Sequence, residues 1–395
     1  MEYKISDKLA ALKPSAIREI FKSLTDPTII SFAAGNPNPL SFPVEALSRI
    51  SADIFANQAS FALQYGMTEG YTPLRQAVSE RLRDRFGISR SFDTTVITTG
   101  GQQGIELTCK ALCNEGDAVI CENPSFIGAL NAFRSNGART VGVPLNDDGI
   151  DVEKLEAVLK IEKRAKILYL IPTFHNPAGI TSTLENRQKV YALAKQYGVV
   201  ILEDNPYGEL RFAGVDVPTY KSFDEDGIVV YCSSFSKILS SGMRVGFVCG
   251  PEALVSKMIV AKQVEDVHTN LFFQMLCHRY ITEYDLDAHI AGIRDLYRAK
   301  CNRMLTALDR EIPSCIKYTR PEGGLFLWCT LPDGKDSAPF VKAALAQKVA
   351  VVPGSAFNCD ENAPSDSFRL NYSMPSDDDI DRGVAILGKL AKEMF

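Results

Sequence analysis

The stretch Tyr231-Cys232-Ser233-Ser234-Phe235-Ser236-Lys237-Ile238-Leu239-Ser240-Ser241-Gly242-Met243-Arg244 sets a lysine behind hydroxyl residues at the end of an apolar run. An arginine follows seven positions on, with a glycine close by. An amine and an anion-binding cluster are thereby placed together. Taken alone, Ser-x-Ser-Lys is a common surface pattern. What reverses that reading is the rhythm of the chain on either side.

Short β-branched runs alternate with helix-period segments from Thr94 to Gly250. Strands are expected near Val96 to Thr99, Ala118 to Cys121, Thr140 to Val143, Lys166 to Ile171, Val199 to Leu202, Ile228 to Cys232 and Val245 to Cys249. This order predicts an α/β fold with a mostly parallel central sheet. Amphipathic stretches such as Leu184 to Tyr197, with Val190, Leu193 and Ala194 at helical spacing, would cover its faces. After Pro251 come long helical segments through Arg310, and then short strands near Gly324 to Thr330, Val349 to Val352 and Ser367 to Tyr372. These predict a small α+β domain. A chain of 395 residues exceeds the roughly 250–300 residues at which one core stops growing, so two domains are expected. We assign residues 1–44 to an N-terminal arm joining the small domain, 45–285 to the large domain and 286–395 to the small C-terminal domain.

Composition narrows the function classes. Hydrophobic residues make up 46% and charged residues 23%, and 43 Lys and Arg against 48 Asp and Glu leave a net charge of −5. No sequence-wide basic field exists to condense on nucleic acid or anionic lipid. No apolar run reaches the roughly 18 residues of a spanning helix, and the N-terminus lacks a signal-peptide pattern. The ten cysteines are dilute and form no Cys-x-x-Cys, which predicts reduced, mostly buried thiols, a cytoplasmic location and no metal site.

Three further segments carry chemistry. Ile201-Leu202-Glu203-Asp204-Asn205-Pro206-Tyr207 ends an apolar strand at two carboxylates and a turn, and the carboxyl ends of parallel strands are where open α/β sheets place ligands. Ile171-Pro172-Thr173-Phe174-His175-Asn176-Pro177-Ala178-Gly179 fits a turn as readily as a site. Thr98-Thr99-Gly100-Gly101-Gln102-Gln103-Gly104 passes from strand into helix, where free N–H groups and the helix dipole suit one phosphate. It departs from both the dinucleotide fingerprint and the P-loop, which disfavours a nicotinamide oxidoreductase. Neither Gly-x-Ser-x-Gly nor His-Glu-x-x-His occurs. His175 could line the site or belong to the core.

Together these segments resemble the fold type I, pyridoxal 5'-phosphate (PLP)-dependent aminotransferases of the class I/II group. Ser31-Phe32-Ala33-Ala34-Gly35-Asn36-Pro37, Tyr65-Gly66 with Gly70-Tyr71-Thr72-Pro73-Leu74-Arg75, and Ser234-Phe235-Ser236-Lys237-Ile238-Leu239 are most similar to the 2-aminoadipate/kynurenine aminotransferase branch. That branch also includes the aminotransferase-like domains of MocR-type regulators.

The resemblance implies that Lys237 forms a Schiff base with the cofactor and then acts as general base and acid. Asp204 would pair with the pyridine nitrogen, while Asn176 and Tyr207 hydrogen-bond the ring hydroxyl oxygen and Phe126 stacks on the ring. Gly101, Gln102, Ser234, Ser236 and Arg244 would hold the phosphate. Tyr65 would reach it from the neighbouring subunit of a homodimer. Arg369 would bind the substrate α-carboxylate, with Gly35 leaving room for it. The implied reaction moves the amino group of an L-amino acid to a 2-oxo acid, with 2-oxoglutarate as acceptor, by a ping-pong mechanism. The alternatives are a PLP-dependent lyase or decarboxylase, and a non-catalytic PLP-binding regulator. The regulator is disfavoured by the acidic charge and by a pattern that begins near Ser31, leaving no space for a preceding winged-helix domain.

Overall fold

The computed structural model describes residues 3–10, 12 and 26–395; the expected arm at 1–44 lies partly outside them. The strands in chain order are β1 (Ile30–Ser31), β2 (Asp93–Thr98), β3 (Ala118–Asn123), β4 (Arg139–Asn146), β5 (Gly149–Ile150), β6 (Ala165–Leu170), β7 (Val200–Asp204), β8 (Val229–Ser234), β9 (Gly246–Pro251), β10 (Lys317–Tyr318), β11 (Phe326–Thr330), β12 (Val349–Ala350), β13 (Val352–Pro353) and β14 (Ser367–Asn371). Eight of them form one sheet in the order β2-β9-β8-β7-β6-β3-β4-β5. The strands from β8 through β7, β6 and β3 to β4 run parallel. Strand β9 is antiparallel to both neighbours, and β5 closes a hairpin on β4.

Both faces of the central strands β3, β6, β7 and β8 are largely buried, so these strands read as continuous apolar runs, whereas β4, near the sheet edge, is buried only at Val143. Alternation along each strand decides which core a residue joins. Val119, Ile167, Leu202 and Val230 face a cluster containing Ile105, Leu130, Phe133 and Met258 from helices 101–112, 127–135 and 252–265. Ile120, Leu168, Ile201 and Val229 face Leu155, Leu159, Val190 and Ala194 from helices 152–161 and 184–197. The predicted helix Leu184–Tyr197 starts where Thr183 accepts from the Asn186 N–H, and stops at left-handed Gly198, as cap chemistry requires.

The C-terminal region contains the antiparallel sheet β10-β11-β14-β13 and the parallel pair β1-β12. One strand was expected over Val349 to Val352; it is two. Val349 and Ala350 pair with Ile30 and Ser31, whereas Val352 and Pro353 pair with Arg369 and Phe368. Val351, between the two ladders, joins neither. Asp377, Asp378 and Asp379 form the first turn of helix 377–394, whose N-cap Ser376 accepts from the Asp379 N–H. There the carboxylates meet the positive end of the helix dipole. Among the described residues, no helix is long and apolar enough to cross a membrane. Of the ten cysteines, Cys315 is exposed, Cys113 half-buried and the rest buried.

Candidate active site

The loops at the carboxyl ends of β3, β6, β7 and β8 meet around a cavity of about 310 Å³. Lining it are Gly35, Gly101, Gln102, Phe126, Asn176, Asp204, Tyr207, Ser234, Ser236, Lys237 and Arg244. Two of the residues to which the resemblance gives a site role do not line it. Arg369 sits behind Asn176, its Nη1 donating to Asn176 Oδ1 at 2.8 Å. Tyr65 is 79% exposed and lies edge-on to His268; within one protomer it is not part of the cavity.

Alternation at the end of β7 separates its two carboxylates. Glu203 turns away and accepts from the backbone N–H groups of Tyr220 and Lys221. Asp204 turns toward the cavity, buried, and accepts from the Tyr169 hydroxyl at 2.7 Å. Burial pushes the Asp204 carboxyl up to about 7; the Tyr169 hydrogen bond opposes this and the nearby Glu122 adds to it. Tyr169 was not anticipated. A tyrosine inside an apolar strand was the available signal, because a buried hydroxyl needs a partner.

Lys237 Nζ donates to Gly35 O at 2.7 Å. Burial, with Arg369 and Arg244 nearby, lowers its amine to about 8. Arg369 is buried; its Nη2 donates to Ala33 O at 2.7 Å, and its guanidinium lies 4.2 Å and 4.9 Å from the ring centres of Phe326 and Phe357. Burial lowers it to about 10, with Tyr207 acting in the opposite sense. Its hydrogen-bond partners are neutral and its Nε has none among the described residues. A buried guanidinium so placed is set to receive a carboxylate.

Helix 101–112, whose first two residues also line the cavity, begins after Gly100, at φ 74°, without a side-chain cap. Its first N–H groups are thus left for an anion. A side chain at Gly246 would come within 2.6 Å of Gly100 C and 2.7 Å of Gly101 N, so only glycine lets β9 approach this turn. Ser234 Oγ accepts from the Ser236 N–H at 3.0 Å. Arg244, exposed and at φ 55°, spans toward the same turn with Nη2 3.5 Å from Thr99 O. The Gln102 Nε2 donates one of its two hydrogens to Gly128 O at 2.8 Å. One expectation changes in detail. The space beside Gly35 is taken by the Phe326 ring, 3.0 Å from where a Cβ would sit. His175 is buried outside the cavity, with Nε2 3.2 Å from Glu122 Oε2.

A buried carboxyl, an amine lowered to about 8, an uncapped helix start and a buried guanidinium with only neutral hydrogen-bond partners fit pyridoxal phosphate together with an amino acid. Comparison with known proteins agrees. The profile of aminotransferase class I and II matches residues 27–387. Aromatic-amino-acid aminotransferase 1 of Thermococcus litoralis is 40% identical over 396 residues, covering 99% of this chain and 95% of that protein. The crystal structure of Pyrococcus horikoshii kynurenine aminotransferase in complex with PMP is 39% identical with a TM-score of 0.95, covering 98% of this chain and 97% of that one. The alpha-aminoadipate aminotransferase of Thermus thermophilus, complexed with N-(5'-phosphopyridoxyl)-L-leucine, is 37% identical with a TM-score of 0.90, covering 98% and 97%. The chain therefore belongs to the class I and II aminotransferases of fold type I, and is a PLP-dependent transaminase.

Proposed function

We propose that the protein moves the amino group of an L-amino acid to 2-oxoglutarate in two ping-pong half-reactions, with aromatic and 2-aminoadipate-like amino acids as donors. The observation that carries this is the convergence of Lys237, Asp204 and Asn176 on one cavity, with the Arg369 guanidinium directly behind Asn176. The donor classes are those named for its relatives. Bound PLP supplies an aldehyde carbon that joins amines and a ring that accepts electrons. Lys237 Nζ takes and returns the proton at the substrate Cα. Asp204 holds a proton on the pyridine nitrogen. Because Arg369 occupies Asn176 Oδ1, Asn176 presents its Nδ2 donors to the ring hydroxyl oxygen, alongside Tyr207. Gly101, Gln102, Ser234, Ser236 and Arg244 would bind the phosphate, Phe126 would cover the ring, and Arg369 would orient the α-carboxylate.

A homodimer in the cytoplasm is part of the same reading. Phe55, Phe61, Leu63, Tyr65 and Met67 are all at least half exposed, an apolar surface that a second copy would cover, bringing Tyr65 to the partner's phosphate. Strand β1 pairs with β12, and the Asn371 N–H donates to Phe32 O at 2.8 Å. These contacts favour an arm over 1–44 that joins a small domain at 286–395, beside a large domain at 45–285.

Initial rates with a panel of amino donors against 2-oxoglutarate test the proposal. Parallel double-reciprocal lines and formation of glutamate are expected. Release of ammonia or carbon dioxide without amine transfer would sink it in favour of a lyase or decarboxylase. In the same assay Arg369→Lys should lower kcat/KM for the donor about 10- to 100-fold, mainly through KM, because an ammonium cannot reproduce a two-pronged carboxylate contact. A change confined to cofactor affinity would contradict the assignment.

A further inference from the structure

A buried charged network lies directly behind the Thr99–Gly101 turn, outside the site described above. Lys262, on helix 252–265, is fully buried. Its Nζ donates to Gln103 Oε1 at 2.8 Å, to Asp266 Oδ1 and Oδ2 at 2.8 and 2.9 Å, and to Thr269 Oγ1 at 3.0 Å. Asp266 also accepts from Thr99 Oγ1 at 2.7 Å and from Gln103 Nε2 at 2.8 Å. Gln103 Oε1 accepts in turn from the Thr99 N–H at 2.8 Å. The ammonium on one end of the Gln103 amide and the carboxylate on the other leave the amide a single orientation.

This arrangement is a costly way to hold a core together. Lys262 is fully buried while the Asp266 side chain is 26% exposed; taking one ammonium wholly out of water forfeits much of the pair's attraction to desolvation, and apolar replacements are often as stable. What it achieves is local: Gln103 is the third residue of helix 101–112, and its side chain secures the residue preceding Gly100 from behind. The start of the helix is thus fixed without a side-chain cap on its first N–H groups.

We propose that Lys262, Asp266 and Gln103 are positioning residues that preset the Thr99–Gly101 turn for the cofactor phosphate. The inference rests on the proposed role of Gly101 and Gln102 in holding that phosphate. The network fixes the turn before the ligand arrives, so that binding does not have to order it.

The test is a pair of equilibrium titrations of cofactor-free protein, one with PLP and one with pyridoxal, which lacks the phosphate. Each is followed by quenching of Trp328 fluorescence or by the bound chromophore. Wild type is expected to prefer PLP strongly. In Lys262→Met and Asp266→Asn the Kd for PLP should rise roughly tenfold, while that for pyridoxal stays within about twofold. Thr99→Val, which removes a half-buried hydroxyl and its contacts to Asp266 and Thr269 at 2.7 and 3.1 Å, should move the ratio the same way by a smaller factor. It keeps the test available if a buried substitution fails to fold. A folded variant whose preference for PLP equals that of wild type overturns the proposal. So does an equal loss for both ligands, which marks a purely structural network. A wild type that binds both ligands equally would instead refute the phosphate assignment on which the proposal stands.

Discussion

Lys237→Ala should lower transamination by on the order of 10³- to 10⁴-fold, the range expected when a positioned acid-base group is lost. The variant should remain folded, because Lys237 is only partly buried and its hydrogen bond runs to a single backbone oxygen, Gly35 O. No other group lining the cavity can replace it. Asp204 is engaged by Tyr169, and burial raises the Tyr207 phenol above its ordinary value. The same substitution should abolish covalent capture of the cofactor: after borohydride reduction, the wild-type peptide containing Lys237 gains the cofactor mass and the variant peptide does not. The lowered amine adds a signature in pH. With its pKa near 8, roughly a tenth of the lysine is neutral at pH 7, against well under a thousandth for an ordinary lysine. Attachment of PLP to cofactor-free protein should accelerate as pH rises toward 8 and level off above it. Retention of more than about a tenth of wild-type turnover by Lys237→Ala would place the base elsewhere.

Asp204→Asn should have two opposite effects. Turnover should fall by about 10²- to 10³-fold, as for loss of one preorganised electrostatic contact in a dry site, because a neutral amide cannot hold a proton on the pyridine nitrogen. Without cofactor, however, the variant should be more stable than wild type at pH 8. The sign follows from linkage. Burial raises the folded-state carboxyl from 3.8 to about 7; the stability associated with its protonated form is fully present below pH 4 and is lost as pH rises through 7. At pH 8 the wild type therefore carries a buried carboxylate at a cost on the order of a few kcal/mol. An amide of the same shape avoids that cost and can still accept from Tyr169. Melting temperatures of the two cofactor-free proteins at pH 5 and pH 8 measure the effect. The stability advantage of Asp204→Asn should be larger at pH 8; an advantage independent of pH would mean that Asp204 does not titrate in this window.

Both predictions concern residues whose identity is plain in the sequence but whose properties are not. Lys237 and Asp204 stand out because each lies at or just beyond the end of an apolar strand, and the order of those strands follows from local periodicity. The same periodicity shows central strands buried on both faces and helices between them. Caps at Thr183 and Ser376 are equally local. Such features depend on neighbours within a few residues, and they carried the α/β fold, the parallel sheet and the family resemblance.

What required the folded chain depends on contacts between distant segments. Strand register, not composition, places the Tyr169 hydroxyl on Asp204: Tyr169 pairs with Leu202, and Asp204 lies two residues further along the same face. Asn176 meets Arg369 across 193 positions of sequence. Whether Val349–Val352 is one strand or two depended on which edges β1 and β14 presented. The sequence alone thus determined which chemical groups the protein owns and the order of its elements, since both follow from residue type and short-range period. Only the tertiary structure decided which carboxylate faces the cavity with what partner, how far burial moves the Lys237 amine and the Asp204 carboxyl, and which charged groups stand behind the Thr99–Gly101 turn. Desolvation and hydrogen-bond geometry are set by whatever the fold packs against each group.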